Sequence, residues 1–173
     1  MSDPRAYRID PETLRAVPAD PKAMRRLVAA LQRAAGGDAS EGARRLGEAG
    51  LFAGMLGDLT EAEGSLQRPL ELAPASESQL RFALRMRRAM IWQWQSRHLE
   101  ADREFVWLLQ EASPQQRSFV LQHSGKSLFE QRRYQEAHAV LTAALALREA
   151  RGEPDLVQST RLVLTRVERA LRG

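Results

Sequence analysis

The chain has 173 residues, 43% of them apolar, enough for one domain with a real core or a short repeat array and too few to favour two separate domains. It contains no cysteine, which excludes a disulfide framework and a thiolate metal site. Basic residues exceed acidic ones by 26 to 22, and because only Lys22 and Lys126 are lysines the excess is carried by scattered arginines; a net charge of +4 does not favour nucleic acid as the partner, since phosphate binding needs clustered cations.

The first residues, Met1-Ser2-Asp3-Pro4-Arg5, run into polar sequence with no apolar stretch that could be a signal or span a bilayer, so the expectation is a cytoplasmic chain without a membrane partner. Residues 1–19 carry Pro4, Pro11 and Pro18 and lack sustained periodicity; they predict a mostly irregular arm with one helical turn near Glu12 to Ala16. Asp20-Pro21 reads as a cap followed by proline in the first turn, and Met24, Leu27, Val28, Leu31 and Ala35 share one face of a first helix that stops at Gly36-Gly37. A second helix is expected from Asp38–Ser40 to Met55. A third opens at a Thr60/Glu63 capping box and closes at Ala73-Pro74. Ser76 and Gln79 suggest the same box for a fourth, carrying Phe82, Met86, Ala89, Met90 and Trp92 to about Gln95. A fifth covers Leu99 to Ala112, Ser113-Pro114 starts a sixth to Gln131, and a seventh runs from Tyr134 to Arg151. After the break at Gly152-Glu153-Pro154, an eighth shows an apolar stripe of Leu156, Thr160, Val163, Leu164, Val167 and Leu171. No run of alternating residues is long enough to read as a strand, so the expected class is all-α, with short links folding successive helices into antiparallel hairpins.

One segment recurs three times, as Gly57-Asp58-Leu59-Thr60-Glu61-Ala62, Ser96-Arg97-His98-Leu99-Glu100-Ala101 and Arg132-Arg133-Tyr134-Gln135-Glu136-Ala137. Recurrence at a few tens of residues signals stacked copies of one small unit. Small residues Gly50, Ala89 and Gly125 precede the three segments, and with Ala62, Ala101 and Ala137 they would let paired helices approach closely.

On these residues the chain resembles a tetratricopeptide-repeat protein, with units at about 43–74, 79–114 and 118–151 inside one helical domain of residues 20–173 and a capping helix at 154–172. Pro69, where an alanine is usual, and Arg85 and Arg88, where apolar residues are usual, depart from the pattern. The resemblance implies helix hairpins stacked in a short right-handed superhelix whose concave face takes up a protein or peptide. Placed residue by residue, the implied contacts are Met55 in the first unit, Met86, Arg87, Met90 and Trp94 in the second, and Phe119, Gln122, His123, Lys126 and Phe129 in the third. Methionine and aromatic side chains suit capture of an apolar helix or peptide. The same stripe also reads as core, covered by the N-terminal arm or the first helix, and both readings stand at this point.

Other motifs carry less. Gly125-Lys126-Ser127 looks like the tail of a phosphate loop, but Val120 stands where its first glycine belongs and no strand precedes it. His98, His123 and His138 show no metal-ligand register, and Ser124 and Ser127 lack a nucleophile turn. The expectation is therefore a binding module with no catalytic residues, cofactor or metal. Self-association of two copies through the apolar stripe is the first alternative, and polyanion binding by the arginine pairs Arg25-Arg26, Arg44-Arg45, Arg87-Arg88 and Arg132-Arg133 is the second.

Overall fold

A computed structural model describes residues 3–74 and 76–173. Among them the chain forms eight α-helices and two short strands. The helices are α1 (Pro21–Arg33), α2 (Ala39–Met55), α3 (Leu59–Leu72), α4 (Ser78–Trp94), α5 (His98–Glu111), α6 (Pro114–Glu130), α7 (Tyr134–Arg151) and α8 (Pro154–Leu171). Contacts divide the chain into two compact units, one of residues 1–10 and 15–97, the other of residues 11–14 and 98–173. The boundary between Arg97 and His98 falls within the second expected repeat.

In the first unit α2 packs against α1, α3 and α4, and α3 also meets α4; in the second α6 packs against α5, α7 and α8, and α7 meets α8. Glycines set how close the paired helices come. A Cβ on Gly50 would lie 2.9 Å from the carbonyl oxygen of Ala62 in α3, and one on Gly125 would lie 2.5 Å from Cγ of Leu141 in α7. Ala62, Ala101 and Ala137 are all fully buried. The small-residue pattern thus has its expected consequence in the α2/α3 and α6/α7 pairs.

The recurring segment is a recurring turn. Gly57, Ser96 and Arg132 sit at φ of 88°, 60° and 61°, and Asp58, Arg97 and Arg133, one residue on, donate their N–H to the carbonyls of Ala53, Trp92 and Leu128. This six-to-one bond after a left-handed residue is the Schellman closure of a helix. Gly152, at φ 66°, repeats it before α8, with Glu153 donating to Arg148.

The caps follow the sequence in part. Asp20 accepts from Ala23 N and Asp38 from Glu41 N, and Ser113 with Gln116 forms a complete capping box at α6. The Thr60/Glu63 box does not form: the Schellman turn starts α3 earlier, at Leu59 after an N-cap at Asp58, and Glu63 bonds elsewhere. Nor does Ser76 cap α4, whose N-cap is Glu77.

The arm departs from the expected irregular segment. Met1 and Ser2 lie outside the described residues, but Tyr7–Ile9 (β1) and Ala16–Pro18 (β2) pair as an antiparallel hairpin, Arg8 opposite Val17. Asp10 N donates to Arg15 O below a four-residue tip, in place of the helical turn expected at Glu12 to Ala16. Three-residue strands are too short to show alternation, and their pairing depends on contacts beyond the strands themselves: β2 lies on α2, where Arg5 meets Glu48 at 2.9 Å, and Leu14 at the tip is buried in the second unit.

Candidate functional site

The capping box at Ser113 and Gln116 fixes the start of α6, and the positions Phe119, Gln122, His123 and Lys126 then share one helical face. Phe119 stands out at 45% exposed, and its ring meets the half-buried His123 edge-on with centroids 4.6 Å apart. Beneath them Gln122 and Lys126 are buried, and Gln122 Oε1 has no hydrogen-bond partner among the described residues. Such an unsatisfied buried acceptor calls for an explanation, and a missing binding partner is one.

The electrostatics of this face are those of cations crowded out of water. Burial first, and the charge of Arg148 on α7 second, lower the Lys126 ammonium to about 8, with Glu130 opposing both. His123 is held well below its ordinary 6.5 by burial first and by Lys126 and Arg148 after it. Arg148 is itself buried, donating from Nη1 to Thr160 Oγ1 at 2.6 Å and to the Leu156 carbonyl at 3.2 Å. Its own affinity for the proton is reduced, chiefly by burial and by Arg151, with Glu153 acting the other way. An incoming anion or hydrogen-bond donor would relieve this face.

The rest of the expected contact set is less open. Met86, Met90 and Trp94 in the first unit, and Gln122, Lys126 and Phe129 in the second, are buried side chains, while Met55, Arg87 and His123 are half-buried. Packing supplies the reason where it is visible. A Cβ on Gly54 of α2 would lie 2.6 Å from Trp94 Cζ3, so the missing side chain makes room for the indole. Arg87 lies across Gly47 in the same way, and burial lowers its proton affinity against the opposing charge of Glu48. Phe129 belongs to the core of the second unit. Of the stripe only Phe119 is exposed, with Met55, Arg87 and His123 half-buried.

Two polar clamps escaped the sequence reading. Glu63 on α3 accepts from Trp92 Nε1 at 3.2 Å, Gln95 Nε2 at 3.0 Å and Arg97 Nη1 at 2.7 Å; burial raises its pKa, but these three donors together hold it below the usual carboxylate range. In the second unit Asp102 on α5 accepts from Gln131 Nε2 at 2.9 Å and Arg133 Nη1 at 2.8 Å. The signal was present: a Gln-x-Arg triplet at 95–97 and 131–133, and an acid directly after the repeat alanines at 63 and 102.

The departures at Arg85 and Arg88 gather at one place. With Arg81, Trp92, Leu70, Glu63, Gln67 and Glu71 they line a cleft of about 520 Å³ between α3 and α4, and the Arg88 guanidinium lies 4.5 Å from the Trp92 ring. Of the arginine pairs, Arg25 is engaged with Asp58, Arg44 with Glu77, Arg45 with Glu41 and Arg133 with both Asp102 and Glu136. Among the described residues no cluster of His, Asp and Glu could hold a metal ion, and no helix is long and apolar enough to cross a membrane. No family model, curated protein or solved structure matches the chain.

Proposed function

We propose that the chain is a non-enzymatic protein- or peptide-binding module built on tetratricopeptide-like hairpins, and that its partner is taken up on the α6 face around Phe119. The observation that carries this reading is the exposed Phe119 ring resting on His123 above a buried, unsatisfied Gln122. An aromatic anchor beside desolvated polar groups is the usual makeup of an energetic centre in an interface. The recurring turn and the small residues at the two helix pairs support the repeat reading behind it.

The test is a photo-crosslinking residue placed at Phe119 and, as a control, at the exposed Leu162 of α8, in cells of the source organism. A protein crosslinked from position 119 and absent from position 162 supports the reading. Crosslinks only to another copy of the chain replace it with self-association. No adduct, or the same adducts from both positions, removes it.

The polyanion alternative draws on a different observation, the arginine cleft between α3 and α4. It requires an affinity for a polyanion such as heparin that falls steeply with salt and is lost in an Arg81→Ala, Arg85→Ala variant.

A further inference from the structure

The tip of the N-terminal hairpin, residues 11–14, is part of the second unit. Leu14 is 2% exposed and belongs to a cluster with Leu128 and Phe129 of α6, Leu141 of α7 and Val163 and Val167 of α8. Two residues earlier, Glu12 lies with Oε2 at 3.3 Å from Arg166 Nε and Oε1 at 3.8 Å from Arg169 Nη1, and the Arg166 guanidinium is 5.0 Å from the Phe129 ring. The α6/α8 surface therefore presents an apolar recess beside two cations, and the chain's own Glu-x-Leu fills it.

Two features make this occupant exchangeable. Leu14 has φ 59°, a left-handed conformation that disfavours a bulky residue by about tenfold or more and is held because the side chain is buried. The Glu12 carboxylate meets Arg166 Nε at ion-pair distance without hydrogen-bond alignment, and Glu12 itself is 65% exposed, so the pair adds little. A free segment of the same chemistry reaches the recess without the backbone strain that the hairpin imposes.

We infer that the α6/α8 recess is a docking site for an extended segment of a partner protein carrying a carboxylate two residues before a leucine, and that the hairpin tip vacates it when the partner enters. The site is separate from the Phe119 face and stands or falls without it.

The probe is a fluorescein-labelled peptide with the sequence of residues 9–16, followed by anisotropy against the full chain, against a Glu12→Arg, Leu14→Ser variant, and against that variant with Arg166→Glu added. The expected result is saturable one-to-one binding to the double variant, at least tenfold tighter than to wild type, lost on adding Arg166→Glu and regained in part with a peptide carrying Glu12→Arg. No saturable binding to a double variant of native helicity, equal binding to wild type, or indifference to Arg166→Glu overturns the inference. If Leu14→Ser costs the fold, a Glu12→Arg, Leu14→Ala variant carries the same expectations, because alanine still empties most of the recess and buries no hydroxyl. A wild-type dimer that Arg166→Glu dissociates would make the occupant a second copy's tip and overturn the assignment to a foreign partner.

Discussion

Ser96 and Arg132 hold the left-handed position of the Schellman turn that glycine holds at Gly57 and Gly152, and the sequence shows no reason for the exception. For an L-residue this conformation costs about 1–2 kcal/mol, while glycine costs about 0.5–1 kcal/mol in unfolded-chain entropy. Ser96→Gly and Arg132→Gly should therefore each stabilise the chain by about 0.5–1 kcal/mol in urea unfolding, both positions being exposed. Lys126 and His123 set a pH dependence of their own. Between about pH 8 and the ordinary 10.5 the unfolded chain keeps the Lys126 proton that the folded chain has released, so stability rises with pH across that window, and the penalty is fully present below it. His123 stays neutral when folded but takes up a proton near 6.5 when unfolded, so stability falls as pH drops below 6.5. Lys126→Met should flatten the alkaline rise and stabilise the chain at pH 7, measured by urea midpoints from pH 5 to 10.5.

Each clamp ties an acid just inside one helix to the glutamine and arginine at the turn that ends another helix. For Asp102 and Arg133 a double-mutant cycle with alanine should give a coupling of about 0.5–1 kcal/mol that shrinks in high salt, since both side chains are partly exposed. A coupling of zero would mean that Gln131 and Glu136 satisfy the two partners without each other. Close approach of α6 and α7 depends on Gly125 in a way that can also be separated. Gly125→Ala should cost about 1–3 kcal/mol by forcing the new methyl into Leu141, and most of that cost should vanish in a Leu141→Ala background. Equal cost in both backgrounds would point to helix propensity or backbone strain in place of packing.

Exposed large apolar side chains are spread over β1, α5, α6 and α8, at Tyr7, Leu99, Val106, Phe119, Leu156, Leu162 and Leu171. Single exposed apolar residues so spread make no contiguous patch for a second copy, and Met86, Met90 and Trp94, which a homodimer would have used, are already buried. Sedimentation equilibrium should accordingly give the mass of a single chain, 19.4 kDa, across the micromolar range. A concentration-dependent increase would move weight to self-association, and persistence of that increase in Phe119→Ala would put the contact away from α6.

Local chemistry determined the eight helices: Asp20-Pro21, Asp38 and Ser113-Pro114 mark starts, Gly152-Pro154 marks a break, and the 3.6-residue periodicity needs only neighbours along the chain. The recurring segment likewise carried the repeated turn and the small residues that let α2 meet α3 and α6 meet α7, because those are contacts between successive helices. Tertiary structure decided whatever depended on groups distant in sequence. Glu63 reads as a capping residue until Trp92, Gln95 and Arg97 arrive some thirty residues later and claim it. Trp94 reads as a groove residue until Gly54 opens a place for its ring on α2. Leu14 reads as part of an irregular arm until the clusters of α6, α7 and α8 bury it. A helix face specifies which side chains are together, but only the packing of other helices against it decides which of them water, or a partner, can reach.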